Sequence, residues 1–241
     1  MDEWIDRWLT LEMRLAALLL APREGDFVAQ LDTLLTELRG ALDEDPDAAL
    51  VWLVQLGSTS HVGYSSAHAL VCWALCRLVA PALGLSHEER EALERAALTM
   101  NISMTALQND LAAQPCGPDA HQRAWIETHA ARSAQQLREC GVRTPGWLAI
   151  VEHHHDPQAM DTPTRLLQRI DRYAAWLSPR QTRPGRDSVA ALWQVTADGV
   201  EAADPMAAAM LTTLGLCPPG AFVRLHDGRI AMVLRRGPQP G

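Results

Sequence analysis

The chain has 241 residues, 48% of them hydrophobic, enough for a sizeable core and too many for a disordered polymer. Its formal net charge is -8 and no basic face is visible in the sequence, which argues against a role built on nucleic-acid phosphates. The apolar run 15–21 is far shorter than the roughly 20 residues a membrane span needs, and the acidic start Met1-Asp2-Glu3 does not read as a secretory signal.

The hydrophobic periodicity is helical almost throughout. Residues 2–21 place Trp4, Trp8, Leu11, Leu15 and Leu18 on one stripe, and Pro22 ends the helix. A second helix carries Phe27, Leu31, Leu34, Leu38 and Leu42. Glu44-Asp45-Pro46 breaks it, and Asp47 reads as the cap of a third helix over 48–56. Residues 57–64 read as a loop, 66–83 as a helix stopped by Gly84. Ser86 with Glu89 forms a capping box for a helix that reaches Met100-Asn101. After a loop at 115–118, a helix over 119–141 turns Trp125, Ile126, His129, Ala130 and Leu137 inward. Pro145 starts the helix that ends in His153-His154-His155, and Pro163 reads as the first residue of one through Trp176. Two more helical stretches cover 189–197 and 206–214. Then 222–225 and 230–234 alternate around Asp227-Gly228, a hairpin signal. The fold class is all-α. Residues 1–64 form an N-terminal helical segment, 65–200 the principal helical domain, and 201–241 a last helix and a short β-hairpin.

The five cysteines are odd in number and none has CxxC spacing, which points to a reduced, cytoplasmic protein. Cys72 and Cys76, four apart on a helix, read as small apolar packing residues. The chemistry-bearing residues are His68, Asn101, His129, His153 to His155, Asp156 and Asp171. Imidazoles and carboxylates from several helices are how a bundle builds a metal site in its core. Asp171 falls on an apolar face with Leu167, so it needs a partner: a metal, an arginine such as Arg169 or Arg172, or a histidine. The sequence has neither a GxSxG elbow nor the glycine pattern of a P-loop or dinucleotide fold.

From about residue 65 to 236 these segments, in their order, resemble HD-GYP domains, the branch of the HD phosphohydrolase superfamily that hydrolyses cyclic di-GMP. His68 with its apolar helix resembles the family's first histidine helix. The run Ala96 to Ser103 sits where the family has its HD signature. Ile126-Glu127-Thr128-His129 resembles the next histidine segment, His154-His155-Asp156 the paired histidines with an acid, and Asp171 with Tyr173 the helix of the last metal-binding aspartate. Leu214 to Gly220 with the hairpin is similar to the tail that often follows such domains. The resemblance implies an HD-superfamily helical bundle with extra N-terminal helices. It also implies one metal on His129, His154 and His155, with His68, Asn101 and Asp171 as vestiges of a second site.

The departures bear on activity. Met100-Asn101 stands where the HD pair would be, and a neutral amide lacks the charge to bridge two cations. Met104 falls at the family's lysine and Tyr64 at an acidic ligand. The few residues between Asp156 and Pro163 leave no room for the GYP loop. The expectation is therefore a degenerate, catalytically inactive bacterial signalling protein that binds a protein partner or a cyclic dinucleotide and carries no metal. The alternative is a residual phosphodiesterase with one Fe, Mn or Zn on His129, His154 and His155 and Asp171 or Asp156 as base. Arg165, Arg169 and Arg183 are the candidate phosphate contacts, among a wider set that includes Arg132, Arg180 and Arg186. A third reading makes the N-terminal helices a homodimer or scaffold surface.

Overall fold

The computed structural model describes residues 2–182, 185–200 and 204–237. Among them the chain is all-α apart from one two-stranded hairpin. In chain order, α1 (Asp2–Leu20), α2 (Phe27–Glu44) and α3 (Pro46–Thr59) precede α4 (Tyr64–Val79). A 3-10 turn, Ala80–Leu83, leads to α5 (His87–Thr99), and a second, Ile102–Met104, to α6 (Thr105–Ala113). Then come α7 (Ala120–Glu139), α8 (Pro145–His153), α9 (Thr162–Leu177), α10 (Ser188–Val200) and α11 (Pro205–Leu214). Strands β1 (Phe222–Arg224) and β2 (Ile230–Met232) close the chain.

The bundle is built around α4. Helices α1, α3, α5, α6, α9 and α11 all pack on it, and nearly every residue from Ser65 to Cys76 is buried. With its 3-10 extension, Tyr64–Leu83 is long and apolar enough to cross a membrane, but 72% of that stretch is buried inside the bundle. Its apolarity on all sides is what a helix surrounded by other helices requires. The stripe Trp8, Leu11, Leu15 and Leu18 of α1 is buried in the same contiguous core that runs through to Leu214. The N-terminal helices are thus a layer of one core.

The helix ends follow local chemistry. Ser86 and Glu89 make the reciprocal capping box at α5, and Asp119 with Gln122 makes another at α7. The cap of α3 differs from the expectation. Asp45, not Asp47, accepts from the Ala48 amide, with Pro46 opening the helix. The Glu44-Asp45-Pro46 break is therefore both the end of α2 and the start of α3, because proline fits the first turn, whose N–H is orphaned anyway. Helix α9 likewise begins one residue before Pro163, capped by Asp161. Asp47 instead meets the guanidinium of Arg236, and Asp45 that of Arg235, which fastens the segment after the hairpin to α3. The hairpin pairs Phe222 with Met232, Val223 with Ala231 and Arg224 with Ile230. Gly220 makes its approach to α3 possible: its φ is +89°, and a Cβ there would lie 3.0 Å from that of Val54.

Candidate metal centre and adjoining cavity

Three helices and two turns supply the histidine, asparagine and aspartate side chains that line a cavity of about 160 Å³. His68 enters from α4, Asn101 from the turn after α5, His129 from α7, and Asp171 from α9, with His155 from the turn after α8. Gln108 and Arg180 add to its polar wall, and Met104, Leu111 and Ile126 supply an apolar one. A larger cleft of about 490 Å³ lies between α1 and α2, but no histidine lines it.

The backbone positions these side chains by specific bonds. After Met100 the helix gives way to a 3-10 turn, and Asn101 holds φ -105°, ψ 14°, the bridge region that many site residues occupy. Ser103 fastens this turn to α7. Its hydroxyl donates to the His129 carbonyl at 3.0 Å, and its amide donates to Ser133 Oγ at 3.2 Å. The Trp125 indole N–H adds a bond to the Ser103 carbonyl at 3.2 Å. The turn carrying His154 and His155 is held by Gln168 of α9, whose amide donates to the carbonyls of His153 and Asp156. At the other end, Asn109 of α6 accepts from the Ser65 amide at 2.8 Å and caps α4 just before His68.

His129 and His154 are both buried. His129 Nδ1 donates to the Ile126 carbonyl at 2.5 Å and His154 Nδ1 to the Val151 carbonyl at 2.7 Å. Those bonds fix the tautomer, so the two Nε2 lone pairs face each other at 3.2 Å. Two neutral acceptors at that distance repel unless a cation sits between them. His155 is more exposed, with its ring centroid 5.0 Å from that of His129 and 4.2 Å from that of His154. The three offer nitrogens within 4.8 Å of one another. Two nitrogens bound to one tetrahedral zinc at roughly 2.05 Å lie about 3.3 Å apart, so the residues fit a single divalent transition metal without rearrangement of the buried pair.

Across the cavity, His68 Nε2 and Asp171 Oδ1 meet at 2.8 Å. A histidine, rather than Arg169 or Arg172, is thus the partner of the inward carboxylate. Cys72 Sγ lies 3.6 Å from the same nitrogen. The Tyr64 ring stacks on His68, and its hydroxyl accepts from Arg180 Nη2 at 3.0 Å.

Burial pushes the His154 imidazole down to about 3, the nearby His155 and His129 adding to the effect against Asp171 and the Val151 carbonyl. Burial lowers His129 as well. For Asp171 burial works upward, but the bond to and charge of His68, helped by His154 and His155, outweigh it and hold the carboxyl below its usual range. Burial drives the Cys72 thiol well up, so without a cation it is inert. One consequence concerns the metal-free protein. The folded state binds fewer protons on His154 than the unfolded chain does, so this stability is whole above about pH 6.5 and is lost as pH falls toward 3. The slope approaches about 1.4 kcal/mol per pH unit for each such proton. Urea melts between pH 7 and pH 4 should show the midpoint falling, and the dependence should flatten in His154→Ala.

The remaining sequence candidates sit elsewhere. Asp156 does not line the cavity; its carboxylate accepts from the Gln158 amide and shapes the turn. Arg169 is committed to the Val195 carbonyl and to Asp204. Arg165 is half-buried and off the cavity wall. Arg183 lies outside the described residues. The cavity's arginine is Arg180, one of the wider set. Sequence reading passed over Ser103, Ser133 and Gln168, which carry no chemistry but aim the residues that do.

No family model, no curated protein and no solved structure matches the chain.

Proposed function

We propose that this chain is a degenerate relative of the HD-GYP domains, a cytoplasmic regulatory bundle with one divalent transition metal on His129, His154 and His155. In this reading it receives a phosphate-bearing ligand, of the cyclic dinucleotide kind, in the adjoining cavity and does not turn it over. The observation that carries the reading is the pair of Nε2 lone pairs 3.2 Å apart, each oriented by a backbone carbonyl behind it. That arrangement favours a bound metal over the empty centre the departures led us to expect. A divalent ion held there supplies Lewis acidity toward a ligand oxygen.

The chain's own residues explain the absence of turnover. Asn101 brings an uncharged amide to the cavity wall that His129 and Asp171 also line, so that position offers no carboxylate to hold two cations together. Asp171 is bonded to His68 and its pKa is depressed, which makes it a weak general base. Arg180 faces the cavity as an anion contact, in place of the arginines first considered. The second reading is a residual single-metal phosphodiesterase. It draws on the same three histidines and on Asp171, the one carboxylate among the described residues on the cavity wall, left only 17% exposed.

Elemental analysis of the purified chain, with cyclic di-GMP binding and turnover measured on the same sample, tests both. We expect at least one transition metal per chain, saturable binding and no metal-dependent hydrolysis. Arg180→Ala should weaken binding by roughly 10- to 100-fold, as expected for a charged hydrogen bond to phosphate. Metal-dependent hydrolysis would overturn the regulatory reading in favour of the second, and a metal-free protein would sink both.

A further inference from the structure

Cys72 stands one turn beyond His68 on α4, so the two side chains share a face. Its sulfur lies 3.6 Å from His68 Nε2, and Asp171 Oδ1 reaches the same nitrogen at 2.8 Å from α9. The three donor atoms lie within 4.8 Å of one another. Packing alone accounts for a small apolar thiol in the core. It does not account for an imidazole nitrogen that lies 3.6 Å from that thiol and also holds a carboxylate.

We propose that His68, Cys72 and Asp171 form a second metal subsite with mixed nitrogen, sulfur and oxygen donors, suited to a borderline-soft divalent ion such as zinc. A nitrogen and a sulfur bound to one tetrahedral zinc at roughly 2.05 and 2.3 Å lie about 3.6 Å apart, the spacing seen here. An imidazole and a second ligand at i and i+4 of one helix is an established way to offer two donors to zinc. His68 and Asp171 line the cavity, which gives an ion a route in.

Charge explains why the amide at Asn101 does not forbid this. Thiolate and carboxylate together neutralise a divalent ion within the subsite, so no shared carboxylate is needed to hold it near a second cation. Binding breaks the Cys72 S–H bond and displaces the proton through which His68 Nε2 meets Asp171, the ring keeping its one proton on Nδ1. Protons leave to solvent and nothing is oxidised. The subsite shares the cavity of the proposed three-histidine centre but does not depend on that centre being filled. His68 and Asp171 are then ligands of a rebuilt site rather than remnants of a lost one.

The test is cobalt(II) titration of the purified, metal-stripped full chain, followed by absorption. The expected result is two equivalents bound, one of them with a thiolate-to-cobalt charge-transfer band in the near ultraviolet. Cys72→Ala, a small apolar replacement that keeps the packing, should lose the band and one equivalent; Cys72→Ser is the second variant should the first fail to fold. Replacing the exposed thiols, Cys116→Ser with Cys217→Ser, should leave the band intact. So should His154→Ala, which separates this subsite from the three-histidine centre. No charge-transfer band in the cobalt-saturated wild type, or a band that survives in folded Cys72→Ala, overturns the proposal. Zinc affinity at this subsite should fall on the order of 100-fold or more when the thiol is removed.

Discussion

His154→Ala should cost the proposed three-imidazole centre most of its metal affinity, whereas His153→Ala, one position earlier, should leave it unchanged. Helical periodicity does not rank the three consecutive histidines, and only the family resemblance favours the last two. Their surroundings rank them. His153 is the last residue of α8 and its side chain is 52% exposed, 3.8 Å from Asp156. His154 is fully buried, with one nitrogen spent on the Val151 carbonyl and the other 3.2 Å from His129. Loss of an outer-shell partner typically costs roughly 10- to 100-fold in metal affinity. Loss of a ligand from a set of three should therefore exceed about 100-fold. The Val151 carbonyl also loses its partner in a dry site, so the metal-free variant should be less stable by about 1–3 kcal/mol. Equilibrium dialysis with zinc and thermal melts of both variants check this. Metal retained in His154→Ala, or lost in His153→Ala, would sink the proposed centre.

The parts of this site legible in the sequence were the anomalies. A histidine or an aspartate on an apolar helical stripe stands out, and His68, Asn101, His129, His155 and Asp171 do line one cavity. Periodicity assigns a face, however, and not the neighbour across it. His68 and Asp171 are 103 positions apart, and no local pattern pairs them. Cys72 is buried in the core, as its place on an apolar face implies, but a thiol there is no anomaly, so nothing local points to the imidazole nitrogen 3.6 Å from it. Arg180 was one of several arginines until Arg169 proved to be engaged by Asp204.

For the fold, the legible features were the short-range ones. The capping box at Ser86, the glycine stop at Gly84 and the hairpin around Asp227-Gly228 depend on residues within four positions, and all three stand. The stretch after Asn101 carried no such signal. Its 3-10 turn and α6 are held by Ser103 against α7 and by Ser65 against Gln108, both contacts made across the bundle. The cap of α3 was misplaced because Asp45 and Asp47 flank the same proline, and either carboxylate satisfies the local pattern.

Glu94→Ala should produce the largest loss of stability from a single polar change. The Glu94 side chain is only 5% exposed, yet it is an ion. Its oxygens accept from Arg39 of α2 at 2.8 Å, from Arg77 of α4 at 3.1 Å and from the Trp73 indole at 3.0 Å, so one carboxylate joins three helices. Truncation strands two guanidinium groups and an indole N–H in a poorly solvated seam. Breaking a buried pair from one side costs about 3–5 kcal/mol, most of it the penalty on the charges left behind. In a domain of this size that lowers the melting temperature by roughly 6–20 °C. Arg39 and Arg77 retain Glu91 and Asp43 as outer partners, which pulls the expectation toward the lower end. The same physics predicts a rescue. Exchanging Arg39 and Arg77 for methionine in the Glu94→Leu background removes the stranded charges and should recover most of the loss, since apolar replacement of a whole buried ion network is often neutral. Urea denaturation of the single and combined variants distinguishes the two cases. A combined variant no more stable than Glu94→Ala would mean that the network stabilises the junction of α2, α4 and α5 by its attraction, beyond merely avoiding an unpaired charge.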